Sequence, residues 1–328
     1  MQNLLISGGA GYFGTFLTQQ LLKEYNVTVY DLCYFPWIKI NKKKIPFNKR
    51  LKIIKKDVND VNINDFKNID IVIDLNGISN DPSSELNPKH TWKVNCSARK
   101  KFASLACKAG VKRYIFNSTC SIYGKSNKLT FEDGKKKPIS TYAKANLKAE
   151  GEIYKLKNKN FKVNCLRNAT LFGFSNTMRL DLVINIWVYN LIKKKDIIID
   201  GDGEQYRPFL SLNDVSNVYK VILKKNKKLG SFKCNLVSFN IKIKDLAKKL
   251  LKVINKKKIN VIFNKKNKDK RNYIVGSKIF KKKIGSKFKF SNFDNEIKNL
   301  YNKMIYHNIK LNKSTIRMKY YANKFNKP

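Results

Sequence analysis

Eight residues near the N-terminus, Ser7-Gly8-Gly9-Ala10-Gly11-Tyr12-Phe13-Gly14, carry the clearest chemical signal in this 328-residue chain. They follow a strand-like run, Asn3 to Ser7, and open a helix with Phe13, Phe16, Leu17 and Leu21 on one face. Glycine there permits a tight turn, close backbone approach to a pyrophosphate and packing of helix on strand, while the helix N-terminus offers N–H groups to the anion. In that setting the spacing predicts a dinucleotide site, with Gly8, Gly11, Tyr12, Phe13 and Gly14 against the cofactor. Asp31 ends the next strand-like run, Val27 to Asp31. A carboxylate at that point accepts hydrogen bonds from the adenosine ribose and repels a 2′-phosphate, so NAD is expected in preference to NADP. Asp57 and Val58, just past the third run, are placed to meet adenine.

These residues need a scaffold, and the pattern supplies one. Short β-branched runs at Asn3 to Ser7, Val27 to Asp31, Leu51 to Lys55, Ile69 to Leu75, Arg113 to Ser118, Lys162 to Arg167 and Ile197 to Asp200 alternate with amphipathic stretches. That alternation predicts an α/β protein with a doubly wound parallel sheet, a Rossmann fold, and a smaller C-terminal α/β substrate lobe. The clearest helix is Thr91 to Ala109, with Val94, Ala98, Phe102, Leu105 and Ala106 on one face and Gly110 to end it. The expected division is residues 1–170 for the cofactor domain and 171–309 for the substrate lobe, with segments returning to the core. Residues 310–328 are expected to form a basic surface tail.

The formal charge of +46 would suit a nucleic-acid binder, but only eight of the 69 basic residues are arginine. Lysine is spread over nearly every segment, whereas nucleic-acid surfaces cluster their charge and favour arginine's planar fork. No specific nucleic-acid partner is expected. The six cysteines show no C-x-x-C spacing and read as reduced core thiols. With only His90 and His307, no metal site is expected. Met1 runs straight into a strand, so no signal peptide and a cytoplasmic location are expected. The longest apolar stretch, Leu182 to Ile192, is too short to span a bilayer.

Beyond the glycine loop, the chain resembles the extended short-chain dehydrogenase/reductase family, in its NAD-dependent epimerase/dehydratase branch that acts mostly on nucleotide sugars. Gly8, Gly11 and Gly14 have that family's spacing, Leu75-Asn76-Gly77 stands where the fourth strand meets the cofactor, and Asn95 matches a helix asparagine. Arg113 to Gly124 looks like the fifth strand with its catalytic Ser/Thr, which falls on Thr119. Ser140 to Glu150 occupies the place of the Tyr-x-x-x-Lys helix, with Tyr142 as the acid/base. Thr170 stands where many members have a substrate-contacting asparagine, and Arg207 matches the arginine that binds the substrate diphosphate, with Arg271 a second candidate. Arginine at both points, in a chain that otherwise uses lysine, indicates that bidentate phosphate geometry is needed. The resemblance implies a nucleotide-sugar substrate, a homodimer and transient oxidation of a sugar hydroxyl. Epimerisation is favoured over dehydration, because Thr119 is followed by Cys120-Ser121 and not by an acidic pair.

One position departs from the pattern. Four residues after Tyr142 stands Asn146, and the downstream Ala149-Glu150 keeps the register, so no gap restores the lysine. Residues four apart share a helix face, so Lys144 and Lys148 point elsewhere. Asn146 can donate to ribose hydroxyls but has no charge with which to lower a phenol's pKa. Asn146 therefore leaves standing a catalytically impaired NAD or sugar-nucleotide binding protein as an alternative to an active enzyme, and the charge alone adds an RNA-binding member of the fold.

Overall fold

A computed structural model describes residues 1–35, 49–226, 228–256, 258–266, 269, 271–285 and 288–325. In chain order, β1 (Asn3–Ser7) passes through the glycine turn into α1 (Tyr12–Leu21), followed by β2 (Asn26–Asp31), β3 (Leu51–Lys55) and β4 (Ile71–Asp74). The short helices α2 (Asp81–Glu85) and α3 (Pro88–Trp92) precede α4 (Arg99–Lys108), β5 (Arg113–Thr119), β6 (Lys125–Thr130), α5 (Thr141–Lys155) and β7 (Lys162–Asn168). The second half runs β8 (Thr170–Phe172), α6 (Val183–Ile192), β9 (Ile197–Asp200), β10 (Tyr206–Ser211), α7 (Leu212–Lys224), β11 (Phe232–Leu236), β12 (Phe239–Lys242) and α8 (Ile243–Ile254). It ends with β13 (Val261–Asn264), β14 (Asn272–Val275), α9 (Lys278–Lys283), α10 (Phe293–Tyr306) and α11 (Arg317–Phe325).

Seven strands form one sheet in the order β11-β7-β5-β4-β1-β2-β3, with every neighbouring pair parallel. Both faces are covered, as parallel sheets require. Along β1, Leu4 and Ile6 join the core on one face and Leu5 joins the core on the other. The strand order reverses between β1 and β4, and the crevice at that switch point is where such sheets bind ligands. The lobe is not separate from the sheet, because β11 returns to form its edge. The run Ile197 to Asp200 is a strand, as read from sequence, but it lies outside the main sheet and pairs with β13.

The helix expected over Thr91 to Ala109 starts earlier and is interrupted. Asn87 caps it, accepting from the His90 N–H, and Pro88 occupies its first turn, so it begins at Pro88. Lys93–Ala98 is a π-helical turn, after which α4 resumes with Arg99, Phe102, Ala103 and Ala106 buried. Over its described part, residues 310–325, the expected surface tail is anchored on the body of the protein. Thr315 and Arg317 are buried, and α11 packs toward the N-terminal half through Tyr320 and Tyr321 against Phe35. Apolar positions spaced along a lysine-rich stretch were outweighed by its charge; residues 326–328 lie outside the described set.

α5 is welded to the sheet by a buried ion pair. Arg167 of β7 donates to Glu150 through Nε (3.0 Å) and Nη2 (2.7 Å), and the Ser118 hydroxyl donates to the same carboxylate at 2.8 Å. Burial alone would raise the Glu150 carboxyl, but the hydrogen bonds and charge of Arg167 outweigh it and hold the group below its ordinary range. Glu150→Gln leaves the Arg167 charge buried without its counter-ion, so a loss of about 3 kcal/mol or more is expected in urea unfolding at neutral pH. A carboxyl with a lowered folded-state pKa stabilises above its ordinary pKa. The gap between wild type and Glu150→Gln should therefore close as the pH falls below about 4.

Candidate active site

A cavity of about 860 Å³ opens at the switch point. It is lined by Gly8, Gly11, Tyr12, Phe13, Gly14 and Asp31, by Asp57, Val58, Leu75, Asn76 and Gly77, by Thr119, Tyr142 and Thr170, and by Arg207 and Arg271.

The glycine turn is shaped by backbone. Gly8 has φ +72°, a left-handed conformation, and a Cβ there would come within 2.8 Å of the Leu75 and Asn76 backbone. A Cβ on Gly14 would strike the Gly8 carbonyl and lie 2.7 Å from Gly9 Cα, so the turn is closed against its own helix. Asp31 accepts from the Ala10 N–H (3.0 Å) and the Cys33 N–H (2.8 Å), which ties the end of β2 to the loop. Burial raises its carboxyl, opposed by those two hydrogen bonds and by the charge of Arg317. Asp57 caps the 3-10 turn containing Val58. Tyr12 donates to the Gly173 carbonyl at 2.7 Å, fixing the first turn of α1 to the lobe.

Two expected site residues do not line the cavity. Both amide atoms of Asn95 are spent on Ile78, accepting from its N–H at 2.8 Å and donating to its carbonyl at 3.0 Å, so this residue clamps the loop after β4. Asn146 is buried, its Nδ2 donating to the Tyr142 carbonyl (2.8 Å) and its Oδ1 accepting from Arg99 Nη1 (2.9 Å). That carboxamide is buried and does not line the cavity where a ribose would lie.

Tyr142 and Thr119 line the same cavity, and the Thr119 hydroxyl acts on the Tyr142 phenol. Burial raises the Tyr142 phenol most strongly, followed by the lowering effect of the Thr119 hydrogen bond, the raising effect of Asp81, and the lowering effects of Arg99 and Arg179. Also lining the cavity, Arg207 Nη2 lies 2.6 Å from Asp269, and Arg271 grips the same carboxylate through Nε (2.9 Å) and Nη2 (2.8 Å). Burial would raise Asp269, but the Arg271 hydrogen bonds and both arginine charges bring it down to about 2. Arg271 also reaches Asp81.

Sequence reasoning missed four residues that matter here. Arg179 lines the cavity and forks onto Asp181 at 2.9 and 3.0 Å. Arg317, only 3% exposed, stacks on the Phe35 ring at 3.2 Å. Its Nη2 has no hydrogen-bond partner among the described residues, and burial lowers its pKa to about 9. Arg99 is the fourth. The signal was present in all three arginines: each keeps the planar fork in a chain that otherwise spends lysine.

A glycine turn at the switch point of a seven-stranded parallel sheet, with a Thr–Tyr pair facing the same cavity, defines a dinucleotide-dependent enzyme fold of the short-chain dehydrogenase type. The chain belongs to the NAD dependent epimerase/dehydratase family, whose model matches residues 4–241, and NAD is its cofactor. The putative UDP-glucose 4-epimerase of Methanocaldococcus jannaschii is 26% identical over 222 residues, covering 65% of this chain and 70% of that protein. The human dTDP-D-glucose 4,6-dehydratase is 25% identical over 263 residues, 77% of this chain and 74% of its own length. Among solved structures, the UDP-N-acetylglucosamine 4-epimerase of Methanobrevibacter ruminantium superposes with a TM-score of 0.82 at 21% identity, covering 93% and 98% of the two chains. The Bacillus cereus UDP-glucuronic acid 4-epimerase, solved with UDP-glucuronic acid and NAD, gives 0.79 at 20% identity, covering 93% and 99%.

The cavity's own atoms fit a dinucleotide. Gly8 and Gly14 leave backbone where any side chain would intrude, and two residues that line the cavity, Asn76 and Arg317, each carry a buried donor, Nδ2 and Nη2, without a hydrogen-bond partner among the described residues. Among those residues, no helix is long and apolar enough to cross a membrane.

Proposed function

We propose that the protein is a nucleotide-sugar epimerase of 4-epimerase type. The observation that carries this reading is that Thr119 and Tyr142 line one cavity together with the glycine loop and the Arg207–Arg271 pair. Bound NAD supplies the hydride acceptor and donor. Tyr142 takes the proton of the sugar hydroxyl and later returns it, and Thr119 holds that hydroxyl in line by hydrogen bonding. Arg207 and Arg271, which already hold the Asp269 carboxylate between them, have the fork geometry for a diphosphate. Gly8, Gly11, Gly14, Asp31, Asn76 and Arg317 hold the cofactor. Arg317 feels the charges of Asp31, Arg179 and Asp181, and its Nη2, without a hydrogen-bond partner among the described residues, suits the pyrophosphate, while Nη1 is held by the Ser314 carbonyl. Arg317→Met should weaken NAD binding about tenfold or more in calorimetric titration.

The supporting experiment is a panel of UDP- and dTDP-sugars, followed by product analysis and by the absorbance of reduced NAD. Failure of every sugar to bind or turn over overturns the reading. The second reading, a cofactor-binding protein without turnover, is favoured by Asn146, which brings no charge to Tyr142. Binding of a sugar with no absorbance change and no product would establish it.

A further inference from the structure

The cation absent from position 146 is supplied from the neighbouring helix. Arg99, at the start of α4, is 2% exposed and aims Nη1 at Asn146 Oδ1 at 2.9 Å. Its Nε lies 2.8 Å from Asp74, its Nη2 donates to the Asp74 carbonyl (3.1 Å) and the Asn117 carbonyl (3.0 Å), and its guanidinium carbon lies 3.9 Å from the Phe116 ring centroid. Every edge of the guanidinium is fixed. Asn146 is fixed in turn, because its Nδ2 donates to the backbone carbonyl of Tyr142 itself.

Building on the enzyme reading above, we infer that Arg99 is a positioning residue for the Tyr142 acid/base. From α4 it supplies the positive charge that the Tyr-x-x-x-Lys pattern places on the tyrosine's own helix, and Asn146 is the neutral acceptor that anchors it. A lysine at 146 would set a second buried cation against Arg99; an asparagine accepts its hydrogen bond. Neither Arg99 nor Asn146 lines the cavity, so the charge acts through the intervening helix turn. The groups facing Tyr142 are Thr119 from β5, Asp81 from α2, Arg99 from α4 and Arg179 from the segment after β8; the two arginines favour the phenolate, and Asp81 opposes it. Asp74 offsets part of the Arg99 charge, but its carboxylate is shared with the Ser7 and Tyr114 hydroxyls, each 2.8 Å away.

The test is a titration of Tyr142 in the NAD-saturated protein, read as the tyrosinate ultraviolet difference between each variant and the same variant carrying Tyr142→Phe. Arg99→Met should move the midpoint up by about one pH unit, and Arg99→Met/Asn146→Lys should bring it back. Asn146→Lys alone should lower the melting temperature, while the double variant regains it, a non-additivity that independent structural roles do not produce. An unmoved midpoint in folded Arg99→Met, or no recovery in the double variant, overturns the inference. If Arg99→Met does not fold, the double variant is compared with wild type directly: a matching midpoint supports the relocated charge, and one about a unit higher overturns it. The titration contains no sugar, so a failed sugar panel would overturn the functional reading and leave this result standing.

Discussion

Gly14→Ala is expected to reduce NAD affinity at least a hundredfold. The added methyl would occupy the space of the Gly8 carbonyl and press on Gly9 Cα and C at 2.7 and 2.8 Å, all backbone atoms that no rotamer change can move. Either α1 tilts away from β1 or the Gly8 turn opens. In both cases the N–H groups that face the anion lose their convergence. Calorimetric titration of NAD measures the loss, and Gly151→Ala is the control, because nothing lies within 4 Å of a Cβ there. Replacing that mid-helix glycine should leave NAD affinity unchanged and stabilise the protein by up to about 1 kcal/mol. Undiminished affinity in Gly14→Ala would remove the turn from the cofactor site.

Tyr142→Phe carries the second large effect. If Tyr142 is the proton acceptor, its loss should slow reduction of bound NAD by a turned-over nucleotide sugar by about a thousandfold, with NAD and sugar affinities little changed. The pH dependence has a defined sign. Burial raises the phenol above its ordinary value, and the base form does the work, so the wild-type rate should climb as pH rises toward the phenol's pKa. Single-turnover absorbance across a pH series measures both. A Tyr142→Phe protein that retains the wild-type rate, or a wild-type rate falling as pH rises on the acid side, would move the acid/base role elsewhere.

Much of this molecule is legible in its sequence for local reasons. A strand, a glycine turn and an amphipathic helix are encoded within Asn3 to Leu21, and the loop stands in the structure where the spacing put it. The strand at Leu51–Lys55 has the expected bounds, and β4 is shorter at both ends, with Ile69, Asp70 and Leu75 outside it. What the sequence hid depends on contacts between distant segments. Arg99 and Asn146 are 47 positions apart, so neither alone shows that the one compensates the other. Asn95 and Asn146 bear the right residue types for cofactor contact, yet each amide is consumed by nearby backbone or side chain. The inference drawn for Arg207 and Arg271, that arginine persists where geometry demands it, holds more widely. Arg99, Arg113, Arg167, Arg179 and Arg317 are all at most 5% exposed, so every one was a readable signal in a lysine-rich chain.

The π-helical turn at Lys93–Ala98 has a consequence for how this chain can change. A π turn holds one residue more than an α-helical ladder over the same rise. Removing a single residue there, even the exposed Ser97, would restore an unbroken ladder and bring Arg99 one position nearer to Asn95 along it, changing the angle between the two about the helix axis. The Ile78 clamp and the guanidinium of Arg99 could then no longer face inward together. That stretch should therefore be more sensitive to a change of length than to exchange of its exposed residues, Lys93 and Ser97.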